Sequence, residues 1–123
     1  MKFEVLSIEH LTQLLNFELE NRSWFESLIE PRGDNFYTET GVKMHIGSLI
    51  ENMQAGTAYC GVLVHNSKIV ARANLKDIAK QHASVGYRVS KQYISQGIAS
   101  QCLSKLIEIS SNKLNIETLD AYV

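Results

Sequence analysis

The chain has 123 residues, 45% hydrophobic and 20% charged, a balance that suits one globular domain around a single core. Its net charge of −1 leaves no broad basic surface for nucleic acid or an anionic membrane, and no apolar run approaches the roughly 20 residues of a membrane span. The opening MKFEVLSIEHL carries acids and lacks the apolar block of a signal peptide. Cys60 and Cys102 form no CxxC pair, and His10, His45, His65 and His82 have no ligand spacing. The expectation is a cytoplasmic, reduced protein without a metal site.

Phe3 to Leu6 reads as a first strand. Ser7 is placed to cap the helix that follows, and Glu9 complements its positive end. Ile8, Leu11, Leu14, Leu15 and Glu18 share one side of that helix. Trp24, Phe25, Leu28 and Ile29 continue the helical spacing until Pro31. PRGDNFYTETG is a loop by composition, and its Arg-Gly-Asp tripeptide is a chance occurrence in a chain without an export signal. Thr40 is expected to open a second helix, with Val42, Ile46, Leu49, Ile50 and Met53 on one face and Gly56 ending it.

The period then changes. Thr57 to Val64 and Ile69 to Leu75 read as strands joined through the turn HNSK, and His82 to Val89 as a further strand after a longer connection. A helix from Ile98 to Ser110 is expected to bury Ile98, Cys102, Leu103, Leu106, Ile107 and Ser110. Cys60 and Cys102 read as small core residues, not nucleophiles. Ile116 to Val123 is the last strand. The predicted order is β-α-α-β-β-β-α-β, an α/β domain of α+β type in one piece from residue 1 to residue 123.

The stretch YISQGIASQCL enters its helix through residues with little side chain. A strand running into a Gly-containing turn and a helix N-terminus gathers unpaired backbone N–H groups around one point. With the helix dipole behind them, these groups suit a phosphate or pyrophosphate. Gly97 permits close backbone approach, and Ala99 and Ser100 leave the first turn uncrowded.

The segment GYRVSKQYISQGIASQCLSKLIEISSNKLNIETLDAYV resembles the coenzyme-A signature of the GNAT superfamily of acetyl-CoA-dependent N-acetyltransferases, nearest the ribosomal-protein alanine acetyltransferase branch. Upstream, NFELENRSWFESLIEPRGDNFYT is similar to the helix and loop before the sheet in that branch. The resemblance implies a mixed sheet with four antiparallel strands and a fifth parallel to the fourth. It implies that the backbone of Tyr87, Arg88 and Val89 pairs with the pantetheine arm of acetyl-CoA. The pyrophosphate then falls on the turn Ser95, Gln96, Gly97, Ile98, Ala99 and Ser100. Ile94 stands where the family consensus has Gln or Arg, as an apolar residue often does in this branch.

The resemblance also implies direct attack of an amine on the bound thioester, with the Val89 amide nearest the role of thioester-oxygen donor. General base and acid stay unassigned. The central strands hold no carboxylate, which leaves Glu39, Asp77 and His82, each in or beside a loop. Tyr122 lies within the last strand and is not assigned as the acid. The family continues with a helix and two strands where this sequence ends. The expectation is therefore a domain with the first five strands only, an acetyltransferase acting on a primary amine or protein N-terminus, or a domain that binds coenzyme A or only self-associates and transfers nothing. A third reading is an unrelated binding module for another phosphate. With Ile116, Leu119, Ala121 and Val123 along an open edge, the last strand is expected to pair in a homodimer.

Overall fold

A computed structural model describes residues 1–121 of the chain. Five strands form one sheet in the order β1-β2-β3-β4-β5: β1 Lys2–Val5, β2 Tyr59–His65, β3 Lys68–Ala79, β4 His82–Val89 and β5 Thr118–Ala121. The first four pair antiparallel, and β5 runs parallel to β4 from His82↔Thr118 to Val85↔Ala121. The expected mixed sheet is therefore present. The part of the last strand expected at Tyr122 and Val123 lies outside the described residues.

Two-residue turns set the registers. Asn66 and Ser67 take φ of 52° and 64° between β2 and β3, and Lys80 and Gln81 take 52° and 65° between β3 and β4. Both pairs have the backbone twist that closes a hairpin tightly. The expected longer connection before the fourth strand is thus wrong. β3 runs on to Ala79, through an irregularity at Asp77, and the turn is only Lys80–Gln81. Lys and Gln carry no signal for positive φ, so the hairpin left no mark in composition.

Four helices cover the sheet: α1 Leu11–Glu20, α2 Arg22–Glu26, α3 Glu39–Gln54 and α4 Ile98–Asn112. The helix expected to reach Pro31 stops at Glu26, and a kink at Asn21 separates α1 from α2. Asn21 has a reason to break the run. Its Nδ2 donates to Phe17 O at 2.9 Å while its Oδ1 accepts from the Lys91 amide at 2.9 Å, which ties the helix junction to the chain leaving β4. Thr38, not Thr40, caps α3: its hydroxyl accepts from the Gly41 amide at 3.0 Å.

The two faces of the sheet are covered differently. α4 packs Ile98, Cys102 and Leu106 onto Ala71, Ala73, Leu75 and Val85, with Ile116 closing the end of this core. Within α4, Ile109 is buried and Ile107 is 48% exposed, the reverse of expectation for Ile107, because Ile109 falls one turn beyond Leu106 on the inward side. On the opposite face Leu14, Phe17, Val42 and Ile46 of α1 and α3 cover Cys60, Val62 and Ile69. The buried apolar side chains each contribute about 1.5–3 kcal/mol toward offsetting the chain's lost entropy. Among the described residues no helix is long and apolar enough to cross a membrane.

Candidate functional site

The turn into α4 has the backbone that its sequence suggests. Ser95 has φ of 65° and Gly97 has φ of 78°, so the chain twice enters the left-handed region before Ile98 begins the helix. A Cβ built on Gly97 meets no atom within 4 Å, which means that no protein packing demands the glycine. Its positive φ and the open space beside it remain as reasons. The Gln101 amide makes an intrahelical bond to Gly97 O at 3.1 Å. The amides of Ile98, Ala99 and Ser100 precede it, and at a helix start such groups have no partner within the helix.

A cleft of about 390 Å³ opens between β4 and the end of α2, lined by Phe25, Asn74, Gly86, Tyr87, Val89 and Ala121 among others. The orientation of the β4 backbone follows from one bond. The Ser90 amide donates to Val70 O on β3 at 2.9 Å, so by strand alternation Arg88 also faces β3 while Tyr87 and Val89 turn their N–H and C=O toward the β5 side. Tyr87, Arg88, Val89 and Ile94 line the cleft, and the turn Ser95 to Ser100 follows Ile94 directly in the chain.

The space beside Gly97, the amides that follow it and the outward edge of β4 fit an extended ligand with an anionic end, as coenzyme A is. In strand β5, Leu119 is half-buried against the α4 core and Thr118 and Asp120 are exposed, while Ile116 precedes the strand and is buried. Of the residues expected along this edge, Ala121 is exposed, Leu119 is half-buried and Ile116 is used to close the core, while β5 is the last strand of the sheet among the described residues and Val123 lies outside them.

The proposed bases fare unequally. Glu39 begins α3, exposed, and lines neither cleft. His82 sits at the start of β4, far along the strand from Val89, with its Nε2 2.7 Å from Asp120 Oδ2. Asp77 reaches the rim of a second cleft, of about 460 Å³, on the face of the sheet away from α4. Cys60 and Cys102 are buried, and burial raises both thiols, Cys102 to about 11, so neither is a nucleophile.

The second cleft holds the residues that the sequence reading missed. Glu18 is fully buried; its Oε1 accepts from Arg72 Nη1 and its Oε2 from Arg32 Nη2, both at 2.8 Å. Arg72 Nη2 lies 3.0 Å from His45 Nε2, so that nitrogen accepts and the ring proton resides on Nδ1. Burial first, and then the charges of Arg72, Arg32 and Arg88, lower the His45 pKa from 6.5 to about 3. A base so weakened does not take a proton from an amine at neutral pH. Arg72 and Arg88 are direct cross-strand partners, and Asn74 and Arg88 line both clefts, so the two adjoin. The available signal was a charge at a core position: Glu18 on the side of Leu14 and Leu15, and Arg72 inside IVARANL.

Sheet, turn and cleft define an α/β protein in which a Gly-containing turn leads from the fourth strand of a mixed sheet into a helix N-terminus. Residues 15–123 match the Acetyltransferase (GNAT) family, and the chain belongs to it. A relative described as "Probable N-acetyltransferase YjcK" from Bacillus subtilis is 24% identical over 123 residues, covering 96% of this chain and 68% of that protein. Among solved structures, the ribosomal-protein-S5-alanine acetyltransferase from Vibrio fischeri superposes with a TM-score of 0.91 at 20% identity, over 97% of this chain and 68% of that one. RimL, a ribosomal L7/L12 alpha-N-protein acetyltransferase solved with coenzyme A, gives 0.81 at 21% identity, over 93% of this chain and 65% of that one. The fold is therefore shared with these acetyltransferases, and this chain spans about two thirds of the length of these proteins.

Proposed function

We propose that the chain is an acetyl-CoA-dependent N-acetyltransferase of the cytoplasm acting on a primary amine or a protein N-terminus. The observation that carries this reading is Gly97, at φ of 78° beside open space, three residues after Ile94, which lines the cleft with Tyr87 and Val89. Similarity to RimL, solved with coenzyme A, supports the same ligand here. Bound acetyl-CoA supplies an activated acetyl thioester. The chain's residues hold and orient it: the amides from Gln96 to Ser100 receive the pyrophosphate, and the cleft-facing backbone of Tyr87 and Val89 aligns the pantetheine arm. The Val89 N–H then stands where the thioester oxygen gains charge, a role worth about 2.7–4 kcal/mol where it has been measured in other enzymes. Position alone accelerates attack by an amine that arrives already neutral.

The second reading is a coenzyme-A binder without transfer. It is favoured by two titratable groups of the adjoining cleft region, since the Glu18 carboxylate is engaged by two arginines and half-buried His45 has its pKa lowered to about 3. Calorimetric titration with coenzyme A and a thiol-release assay over a panel of amines and N-terminal peptides separate the readings. Binding with release supports the enzyme, binding without release supports the second reading, and no heat at millimolar coenzyme A overturns both.

A further inference from the structure

The 460 Å³ cleft is built, polar and cationic. Glu18 is the one carboxylate between the guanidiniums of Arg32 and Arg72, so this buried triad retains a positive charge. Arg72 is only 4% exposed, and the Nε atoms of both Arg32 and Arg72 are buried without an acceptor among the described residues, so Glu18 does not exhaust their donors. The apolar contacts of the triad fix it in place: Arg32 lies over the Phe36 ring at 4.1 Å, and Phe36 packs against His45 with ring centroids 5.2 Å apart. Asn74, whose Oδ1 is also buried without a partner among the described residues, lines both this cleft and the one beside Val89. Asn74 thus stands where the two clefts adjoin.

We propose that this cleft receives a carboxylate of the acyl acceptor, so that the substrate is an amine bearing a carboxylate close to the reacting nitrogen. This rests on the acetyltransferase reading. The charge of the triad attracts the carboxylate in a partly desolvated site, where it acts more strongly than in water. It also repels polycations. Burial first, and then the arginine charges, keep His45 neutral, and both disfavour an ammonium in the same cleft, so an amine held there sheds its proton more readily and has less need of a dedicated base. Free amino acids and peptides with acidic residues next to the N-terminus share this chemistry.

The experiment uses the full chain saturated with coenzyme A, titrated calorimetrically with two matched pairs: alanine against alanine amide, and Ala-Glu-Glu-Gly-amide against Ala-Gln-Gln-Gly-amide. In one pair the carboxylate member is expected to bind at least about tenfold more tightly, and which pair does so identifies the source. Spermidine is expected to bind more weakly than either. Arg32→Gln, which keeps a donor for Glu18, is expected to reduce the preference below about threefold, and Arg32→Lys to retain most of it. A melting curve for each variant confirms folding, and coenzyme-A affinity is expected to be unchanged in both. Equal binding within both pairs, absence of acceptor binding to the loaded protein, or a preference that Arg32→Gln leaves intact overturns the inference. Failure of coenzyme A itself to bind overturns the acetyltransferase reading instead.

Discussion

One face of the sheet meets α4 through mainly apolar, uncharged side chains, whereas the other holds buried Glu18 and Arg72 and half-buried His45 between β3 and the helices α1 and α3. Both faces exclude water, but they depend on different things. An apolar face tolerates trimming in proportion to the volume removed. A buried charge set is held by mutual satisfaction, so one missing member leaves the rest uncompensated. The α4 face serves to aim a helix N-terminus, for which rigid packing is sufficient. The opposite face adds a field inside a cleft, which apolar packing cannot supply.

The contrast is tested most severely at Arg72. Arg72→Ala leaves Glu18 buried with only Arg32, and the expected loss is about 3–5 kcal/mol in urea unfolding. The double change Glu18→Met with Arg72→Met is expected to recover most of that loss, because it removes both charges together. A double variant as unstable as the single one would show that the pair acts through shape and not charge. On the α4 face, Leu106→Ala at a fully buried site is expected to cost about 2–5 kcal/mol. There no second substitution on a polar partner should restore stability.

The faces also differ in how far they were legible in the sequence. The α4 turn is local: Gly97, Ala99 and Ser100 lie within four residues, and the helix reports its inward side by its own period. The first four strands were legible by alternation, and the parallel fifth followed from the helix between it and the fourth. The charge cluster joins residues 54 and 27 positions apart, so no window of sequence contains it. Even so, Glu18 among leucines and Arg72 among apolar strand residues were visible anomalies. Helix ends were the weakest reading. Asn21 broke the first helix through bonds to Phe17 and Lys91, the latter fixed only by the tertiary fold.

Gly97 separates stability from binding on the α4 side. Gly97→Glu places a side chain at φ of 78° in open space. The expected stability cost is about 1–2 kcal/mol, from backbone strain alone. Coenzyme-A binding is expected to be lost below detection in calorimetry, since a carboxylate then occupies the anion position. Gly97→Ala carries the same strain without the charge and is expected to retain measurable affinity. Loss of affinity in Gly97→Ala as complete as in Gly97→Glu would assign the effect to backbone geometry instead of charge.

The smallest effect expected at neutral pH is at His45, and it tests the field directly. His45→Gln keeps an amide oxygen to accept from Arg72, so the expected cost at pH 7 is only about 0.5–1.5 kcal/mol, the worth of one altered hydrogen bond. The difference lies in acid. His45 takes a proton below pH 6.5 in the unfolded chain but only near 3 in the folded one. Between these values the unfolded state binds more protons, so stability falls as pH drops from 6.5 toward 3. The contribution of neutral His45 is fully present above 6.5. Glutamine does not titrate, so this part of the acid slope should vanish in the variant, and the two unfolding curves should converge or cross as pH falls. Urea midpoints at pH 7, 6, 5 and 4 measure it. Parallel slopes for wild type and variant would mean that His45 protonates normally, and that neither burial nor the arginines hold it neutral.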